Sequence, residues 1–230
     1  MNAKPGRSSP DRRHRARNAA GQRLLRTYAS LAIRSEHLLQ ALLAGQPPQQ
    51  WRHYPEDDAI DVRGGYQWFY HSHSPEDRPD AMEHGHFHLF ARRPLWSRRM
   101  QSTHERAFSA ITGHPPGKVA TRHLLTVGVD ARGIPVSLFT VNSWVTGDLM
   151  LSAPFTAHLL ANMRLNTGHS HIDAVLECVV ALCADEIHEV LAARDAALAG
   201  RLARNILRDE SLELLSEKAI DMDEIIARKA

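Results

Sequence analysis

The chain has 230 residues, 43% of them hydrophobic, and a formal net charge of +2 at pH 7, which is ordinary for a soluble globular protein. No run of residues approaches the roughly 20 apolar positions that a membrane span needs, and the N-terminus lacks the apolar core of a secretory signal. The two cysteines, Cys178 and Cys183, form neither a CxxC pair nor a plausible disulfide, since helical spacing points them to different faces. We therefore expect a cytoplasmic protein without a transmembrane segment.

The positive charge is concentrated at the N-terminus. Residues 1–26 contain eight basic residues and a single acidic residue, Asp11. Because no aromatic residue precedes Tyr28, the segment lacks stacking groups for single-stranded nucleic acid, and a nucleic-acid partner is not expected. We predict that residues 1–18 are a disordered basic leader and that residues 19–230 form a single α+β domain.

The predicted domain begins with a helix and continues into a sheet. Apolar residues recur at helical spacing over residues 19–44, and Gly45 with the prolines that follow it ends the pattern. Residues 51–150 then favour an antiparallel sheet of about four strands. Two of these strands are predicted at residues 66–73, which are rich in aromatic residues, and at residues 84–93.

The clearest hairpin signal lies around residues 130–133, where two β-branched runs flank a short turn. Gly133 stands at the position that requires a positive φ. A helical C-terminal third, residues 154–230, follows the sheet. Its predicted helices are at residues 154–166, 171–199 and 202–228. The fold class is therefore α+β, with an N-terminal helix, a central antiparallel sheet and a helical C-terminal third.

Five histidines stand at alternate positions on two neighbouring segments. His71 and His73 end one predicted strand, and His84, His86 and His88 lie on the next. Because side chains alternate between the faces of a strand, each group shares one face. If the two strands pair as a hairpin, His71 lies opposite His86 and His73 opposite His84, with Cβ atoms about 4.5–5.5 Å apart. Imidazole nitrogens placed in this way can converge on one ion at about 2.0–2.1 Å.

The pattern predicts a divalent transition-metal site. A face of imidazoles packs poorly unless its ring nitrogens find partners, and an ion supplies one partner for each ligand. Neutral imidazole with carboxylate suits Fe, Zn, Cu or Ni, and the sequence does not choose among them. Glu83, Asp77 or Asp80 could supply a carboxylate ligand or a hydrogen-bond acceptor behind a ligand, and His123 could be a further ligand. For catalysis, Glu83 is the candidate ligand or general base, and Tyr54 is the candidate proton donor.

Several functions fit this histidine pattern. One is a metal-dependent enzyme with an open coordination position, acting on a small organic substrate or on dioxygen. Another is a non-catalytic metal-binding or sensing protein with a closed site. The segment HGHFHLF also resembles the histidine-triad nucleotide-binding signature, which implies that His86 attacks an α-phosphate, although Gly85 stands at an apolar position of that signature. An exposed polar hairpin face explains the histidines without any ligand, and the oligomeric state is not indicated.

Four sequence blocks resemble an uncharacterised bacterial domain family, a domain of unknown function. The blocks read WRHYP, YHSH, EHGHFH and NSWVTGD, in this order along the chain. The resemblance covers about residues 51–150, and EHGHFH is its most specific part. Asp148 stands where the family pattern has Glu. The resemblance implies no reaction, but by position it draws attention to His53, Tyr54, His123, Asn142 and Trp144.

Overall fold

The computed structural model describes residues 9–72, 83–112, 120–200 and 206–229. The helices are α1 (Ser9–Ile33), α2 (Arg93–Trp96), α3 (Thr103–Thr112), α4 (Ser143–Thr146), α5 (Ala153–Ala161), α6 (Ser170–Leu182), α7 (Ala184–Ala199) and α8 (Met222–Lys229). The strands are β1 (Tyr54–Asp61), β2 (Tyr66–His71), β3 (Gly85–Arg92), β4 (Thr121–Val129), β5 (Pro135–Val141), β6 (Leu149–Met150) and β7 (Leu214–Ala219).

The strands form one mixed sheet in the order β1-β2-β3-β4-β5-β7, in which these neighbours are antiparallel and β6 pairs with β4 in parallel. The predicted α+β class is confirmed, but the sheet has seven strands rather than about four. The additional strands are poorly marked in the sequence because β1 and β7 are polar edge strands and β6 has only two residues. A strand with one free edge and a partly solvated face does not need an apolar run.

Helices α1, α5, α6, α7 and α8 pack on one face of the sheet. On that face Trp68 and Tyr70 of β2 and Phe87 of β3 belong to the main buried cluster, which also contains apolar residues of α1, α5, α6, α7 and α8. The indole of Trp68 donates a hydrogen bond of 2.9 Å to Asp173 of α6. Because side chains alternate along a strand, the intervening residues of β2 and β3 face away from the helices. The histidines of interest are on this second face.

Both ends of helix α1 differ from the predicted boundaries. Helix α1 begins at Ser9, inside the segment predicted to be a disordered leader, and ends at Ile33 rather than near Ala44. Its basic residues face acidic partners on α6 and α7, with Arg17 bonded to Asp185 at 2.7 Å and Arg23 bonded to Glu177. These two ion pairs therefore connect α1 to its neighbouring helices α6 and α7.

The predicted helix over residues 202–228 is wrong. Within its described part, the chain forms strand β7 and then α8, separated by Ile220 and Asp221. Asp221 ends the strand pairing and accepts hydrogen bonds from the backbone N–H groups of Asp223 and Glu224, so it caps the start of α8. The cap explains why the charged stretch does not run on as a single helix.

The predicted hairpin is confirmed as β4 and β5, with Gly133 at a φ of +80°. A Cβ atom built on Gly133 would lie 2.6 Å from the Cβ of Leu38, so the turn also requires the small residue for packing. Tyr28 of α1 donates a hydrogen bond of 2.8 Å to the carbonyl of Gly133. None of the helices in the described part of the chain has the length and apolar character to cross a lipid bilayer.

Candidate metal centre

The histidine cluster is created by the pairing of β2 with β3. His71 lies directly opposite His86, as the alternation of the two segments predicts, and Phe69 lies opposite His88. All three histidines are buried, with at most 8% of their surface exposed. One ligand nitrogen from each of His71, His86 and His88 lies within 4.8 Å of the others. Three of the predicted metal ligands are therefore brought together; we call them the histidine triad.

The triad is compact. The Nε2 atoms of His71 and His86 are 2.6 Å apart, and the Nε2 atoms of His71 and His88 are 3.3 Å apart. Nitrogens that bind one tetrahedral ion at about 2.0–2.1 Å are separated by about 3.3–3.4 Å. The second distance matches this value, and the first pair would have to separate by less than about 1 Å. The donor set therefore fits a transition-metal ion.

Glu83 lies behind His86. Its Oε1 is 3.2 Å from His86 Nδ1, and its Oε2 accepts a hydrogen bond of 2.8 Å from Ser137. A Cβ atom at Gly128 would lie 2.2 Å from this carboxylate, so Gly128 leaves the space that Glu83 occupies beside β4. The carboxylate therefore orients the ring of His86 from the outer nitrogen, as acceptors do for metal-binding histidines. The sequence left open whether Glu83 is a ligand, a general base or an acceptor behind a ligand, and the observed contact is with the outer nitrogen of His86.

His123 and Thr126 of β4 have the same relation to His88. The Nδ1 of His88 is 3.1 Å from His123 Nε2 and 3.2 Å from Thr126 Oγ1. Burial, with Arg194 and His86 nearby, lowers the pKa of His123 to about 3. Burial and the surrounding histidines also hold the pKa of His88 well below its ordinary value. Both rings are therefore neutral at physiological pH, which is the form that binds a metal.

A cavity of about 180 Å³ adjoins the triad. Its walls are largely apolar, formed by Phe139, Val141, Val145 and Leu214, and Glu213 adds a carboxylate. The residues of β4 and β5 on this side continue the histidine face across the sheet, since Thr126 pairs with Phe139. Glu213 and Leu214 lie in the segment predicted to be helical, and no sequence signal connects them with the histidines.

The NSWVTGD block holds this wall in place. The backbone N–H of Asn142 donates to the carbonyl of Glu213 at 2.8 Å, and the indole of Trp144 donates to the carbonyl of Leu212 at 3.0 Å. The Asn142 side chain is fully buried, accepts from Ser143 N–H at the start of α4 and donates to the carbonyl of Ile206. The block therefore positions the wall of the cavity rather than contacting the triad.

Other predicted site residues lie elsewhere. His84 precedes β3, is exposed, and has its Nδ1 3.0 Å from the hydroxyl of Tyr70. Tyr54 pairs with Tyr70 at the start of β1 and packs against the main buried cluster, while its hydroxyl accepts from Gln49 N–H. Tyr70 faces the helices, so these two predicted residues are on the side of the sheet away from the triad. His73, like Asp77 and Asp80, is outside the described residues.

His53 is a further histidine close to the triad. Its ring stacks on Phe69 at a centroid distance of 3.7 Å and lies 6.1 Å from the ring of His71. Its Nδ1 is 3.0 Å from a carboxylate oxygen of Asp58. The WRHYP block drew attention to this residue, but only the folded β1 segment shows that it stacks beside the triad.

Comparison with known proteins gives one match. The chain matches the model of a domain of unknown function, DUF6969, over residues 18–220. Neither curated proteins nor solved structures gave a match. The matched segment includes α6, most of α1, and every strand described above, so the resemblance read from residues 51–150 extends over most of the chain. The chain therefore belongs to the DUF6969 family.

Proposed function

We propose that this protein is a metal-dependent enzyme that holds a divalent transition-metal ion with His71, His86 and His88. The observation that carries the proposal is the convergence of three buried imidazole nitrogens, with Nε2 separations of 2.6 and 3.3 Å about His71. The proposed ions are Fe, Zn, Cu or Ni, all of which imidazole ligands suit.

The hydrogen bonds behind the triad favour cation binding. An ionised Glu83 can only accept, so the proton of His86 is on Nδ1 and its Nε2 carries a lone pair. His88 Nδ1 likewise has two neighbours that can accept, His123 Nε2 and Thr126 Oγ1. Two lone pairs then point toward His71 Nε2, which carries at most one proton. A cation bound at this point would accept a lone pair from each of the three nitrogens.

The number of ligands favours catalysis over a closed structural site. Within the described residues, no fourth histidine, cysteine or acidic side chain joins the triad. Three protein ligands with an open position are typical of catalytic sites, whereas structural sites usually have four. The open side adjoins the cavity, whose walls would exclude water and enclose a small substrate. When bound, the ion would supply Lewis-acid chemistry to that substrate.

Two residues have proposed roles in the reaction. Glu83 is a positioning residue, since it contacts His86 and Ser137 rather than the cavity. Glu213 is the carboxylate that lines the cavity, and we propose that it accepts a hydrogen bond or a proton from the substrate. The lining of the same cavity disfavours the alternative in which HGHFHLF is a nucleotide-binding signature and His86 attacks an α-phosphate. In the described part of the chain, the residues that line this cavity include the acidic Glu213 and no lysine or arginine. Such a lining is unfavourable for nucleotide phosphates.

Metal loading of untagged protein tests the proposal. Protein purified without a histidine tag should contain close to one transition-metal ion per chain by elemental analysis. Removal by a chelator should lower the melting temperature, and reloading with the native ion should restore it, since a ligand present at a thousandfold its Kd stabilises by about 4 kcal/mol. If none of Fe(II), Zn, Cu or Ni restores stability to stripped protein, the metal proposal is wrong.

A second measurement separates an enzyme from a closed metal site. Co(II)-loaded protein should change its visible absorption when azide is added, because azide can occupy an open coordination position. An unchanged spectrum with one bound Co(II) per chain would indicate a closed site. In that case the non-catalytic metal-binding alternative would replace the enzyme.

A further inference from the structure

A second and larger cavity lies away from the triad. Its volume is about 560 Å³, within the range of small-molecule sites. It lies between the adjoining ends of β5 and β7, the first turn of α7 and the first two turns of α8. None of its lining residues lines the cavity beside the triad. The proposal below therefore does not depend on the proposed metal site.

Glu186 is the unusual residue of this second cavity. It belongs to the first turn of α7, lines the cavity and has only 8% of its surface exposed. Its Oε2 is buried and has no hydrogen-bond partner in the part of the chain that the structure describes. Buried carboxylates are otherwise paired or hydrogen-bonded, because the charged group loses its hydration. Glu186 Oε2 is therefore available to accept a hydrogen bond from a ligand in this cavity.

The cavity lining carries four acidic residues, among them Asp221, and two basic residues. Lys218 forms an ion pair with Glu189, and the Nε of Arg228 donates to the carbonyl of Glu224. Further acidic groups, Asp223 and Glu224, line the same cavity. The first turn of α7 offers a favourable dipole to Glu186, but a dipole does not give Oε2 a hydrogen-bond donor. The local charge therefore favours a positively charged ligand.

The walls favour an organic cation over a metal ion. Ile220, Met222 and Ile225 are buried apolar residues of the lining, and Ile134 is partly exposed at its edge. Within the described residues, the histidine triad is the only group of three or more potential ligands that converges closely enough for a metal. We propose that this cavity binds an aliphatic primary ammonium ion, with its nitrogen at Glu186 and its carbon chain against Ile220 and Ile225.

Thermal unfolding with a matched pair of probes tests this proposal. Pentylammonium chloride should raise the melting temperature of the wild-type protein by about 3–6 °C at ten times its Kd. Pentan-1-ol, which has the same chain without the charge, and sodium chloride at equal ionic strength should give no comparable rise. Equal shifts with the amine and the alcohol would overturn the proposal, because they would indicate only an apolar groove. No shift with the amine would overturn it as well.

Two variants locate the binding group. Glu186→Gln should abolish the amine-dependent shift and, without amine, should melt at or above the wild-type temperature, since it removes an unpaired buried charge. Asp185→Asn is the matched control, because Asp185 lies in the same turn, pairs with Arg17 and does not line the cavity. It should keep the amine-dependent shift. Loss of the shift in Asp185→Asn, or a large fall in the melting temperature of amine-free Glu186→Gln, would contradict the proposed role of Glu186.

Discussion

The two faces of strands β2 and β3 are built for different purposes from alternate residues of the same segments. On one face Trp68, Tyr70 and Phe87 pack against the helices and belong to the main buried cluster. On the other face His71, His86 and His88 converge with their nitrogens within 4.8 Å. Both faces are almost fully buried. The difference shows that burial alone does not define the core, because one buried face is stabilised by apolar packing and the other by polar contacts behind a proposed ion site.

The largest expected effect on stability is that of replacing His86, and the neighbouring Phe87 on the opposite face provides the control. His86→Ala should lose the bound metal and lower the free energy of unfolding of metal-loaded protein by about 3–4 kcal/mol, because binding energy at a thousandfold Kd is removed. Phe87→Leu, on the opposite face, should keep the metal and cost only about 1 kcal/mol of packing. Chemical denaturation with parallel elemental analysis measures both. A silent His86→Ala would mean that the histidine face has no ion.

The turn that joins β4 and β5 tests the helix side of the comparison. Gly133→Val should lower the free energy of unfolding by about 1–3 kcal/mol, because valine disfavours a positive φ and its Cβ meets Leu38. The effect should be the same in metal-loaded and stripped protein, since the turn packs on the helical side. Urea denaturation of both forms measures it. A metal-dependent loss would show that the two regions are coupled.

On the histidine face, replacement of Gly128 should lower the metal affinity and should reduce stability less than the two changes above. Gly128→Ala should displace the flexible side chains of Glu83 and Ser137, which a Cβ atom would approach within 2.2 Å. Metal affinity should fall about 10–100-fold, which is the usual loss when the hydrogen-bond acceptor behind a metal-binding histidine is removed. The metal-free protein should lose little stability. Competition with a chelating dye measures the affinity. Unchanged affinity would exclude the proposed positioning role of Glu83.

The smallest effect is expected at the N-terminus. Deletion of residues 1–18 should leave the melting temperature nearly unchanged, although α1 begins at Ser9, because the Arg17–Asp185 pair is largely exposed on the Asp185 side. Exposed ion pairs contribute about 0–1 kcal/mol. Differential scanning calorimetry of the truncated chain measures the change. A fall of many degrees would show that the first turns of α1 belong to the cooperative core, like the apolar face of the sheet.

Local patterns predicted the features that depend on neighbouring residues. The alternation of histidines predicted that His71 lies opposite His86 in a hairpin, since a one-residue change of register would move one group to the other face. The turn around Gly133 was predicted because its conformation requires glycine. His84 shows the limit of this reasoning. It has the correct spacing, but the strand begins only at Gly85, so His84 is directed to Tyr70 instead.

The sequence by itself determined the fold class and the pairing of the two segments that carry the potential histidine donors, because both follow from side-chain periodicity and turn chemistry along short stretches. Only the tertiary structure decided what surrounds those donors. Glu213 and Leu214 line the cavity beside the triad, and Glu83 lies behind His86 because Gly128 leaves room on another strand. Contacts between strands distant in the chain have no periodic signal, since their positions depend on how the whole sheet packs.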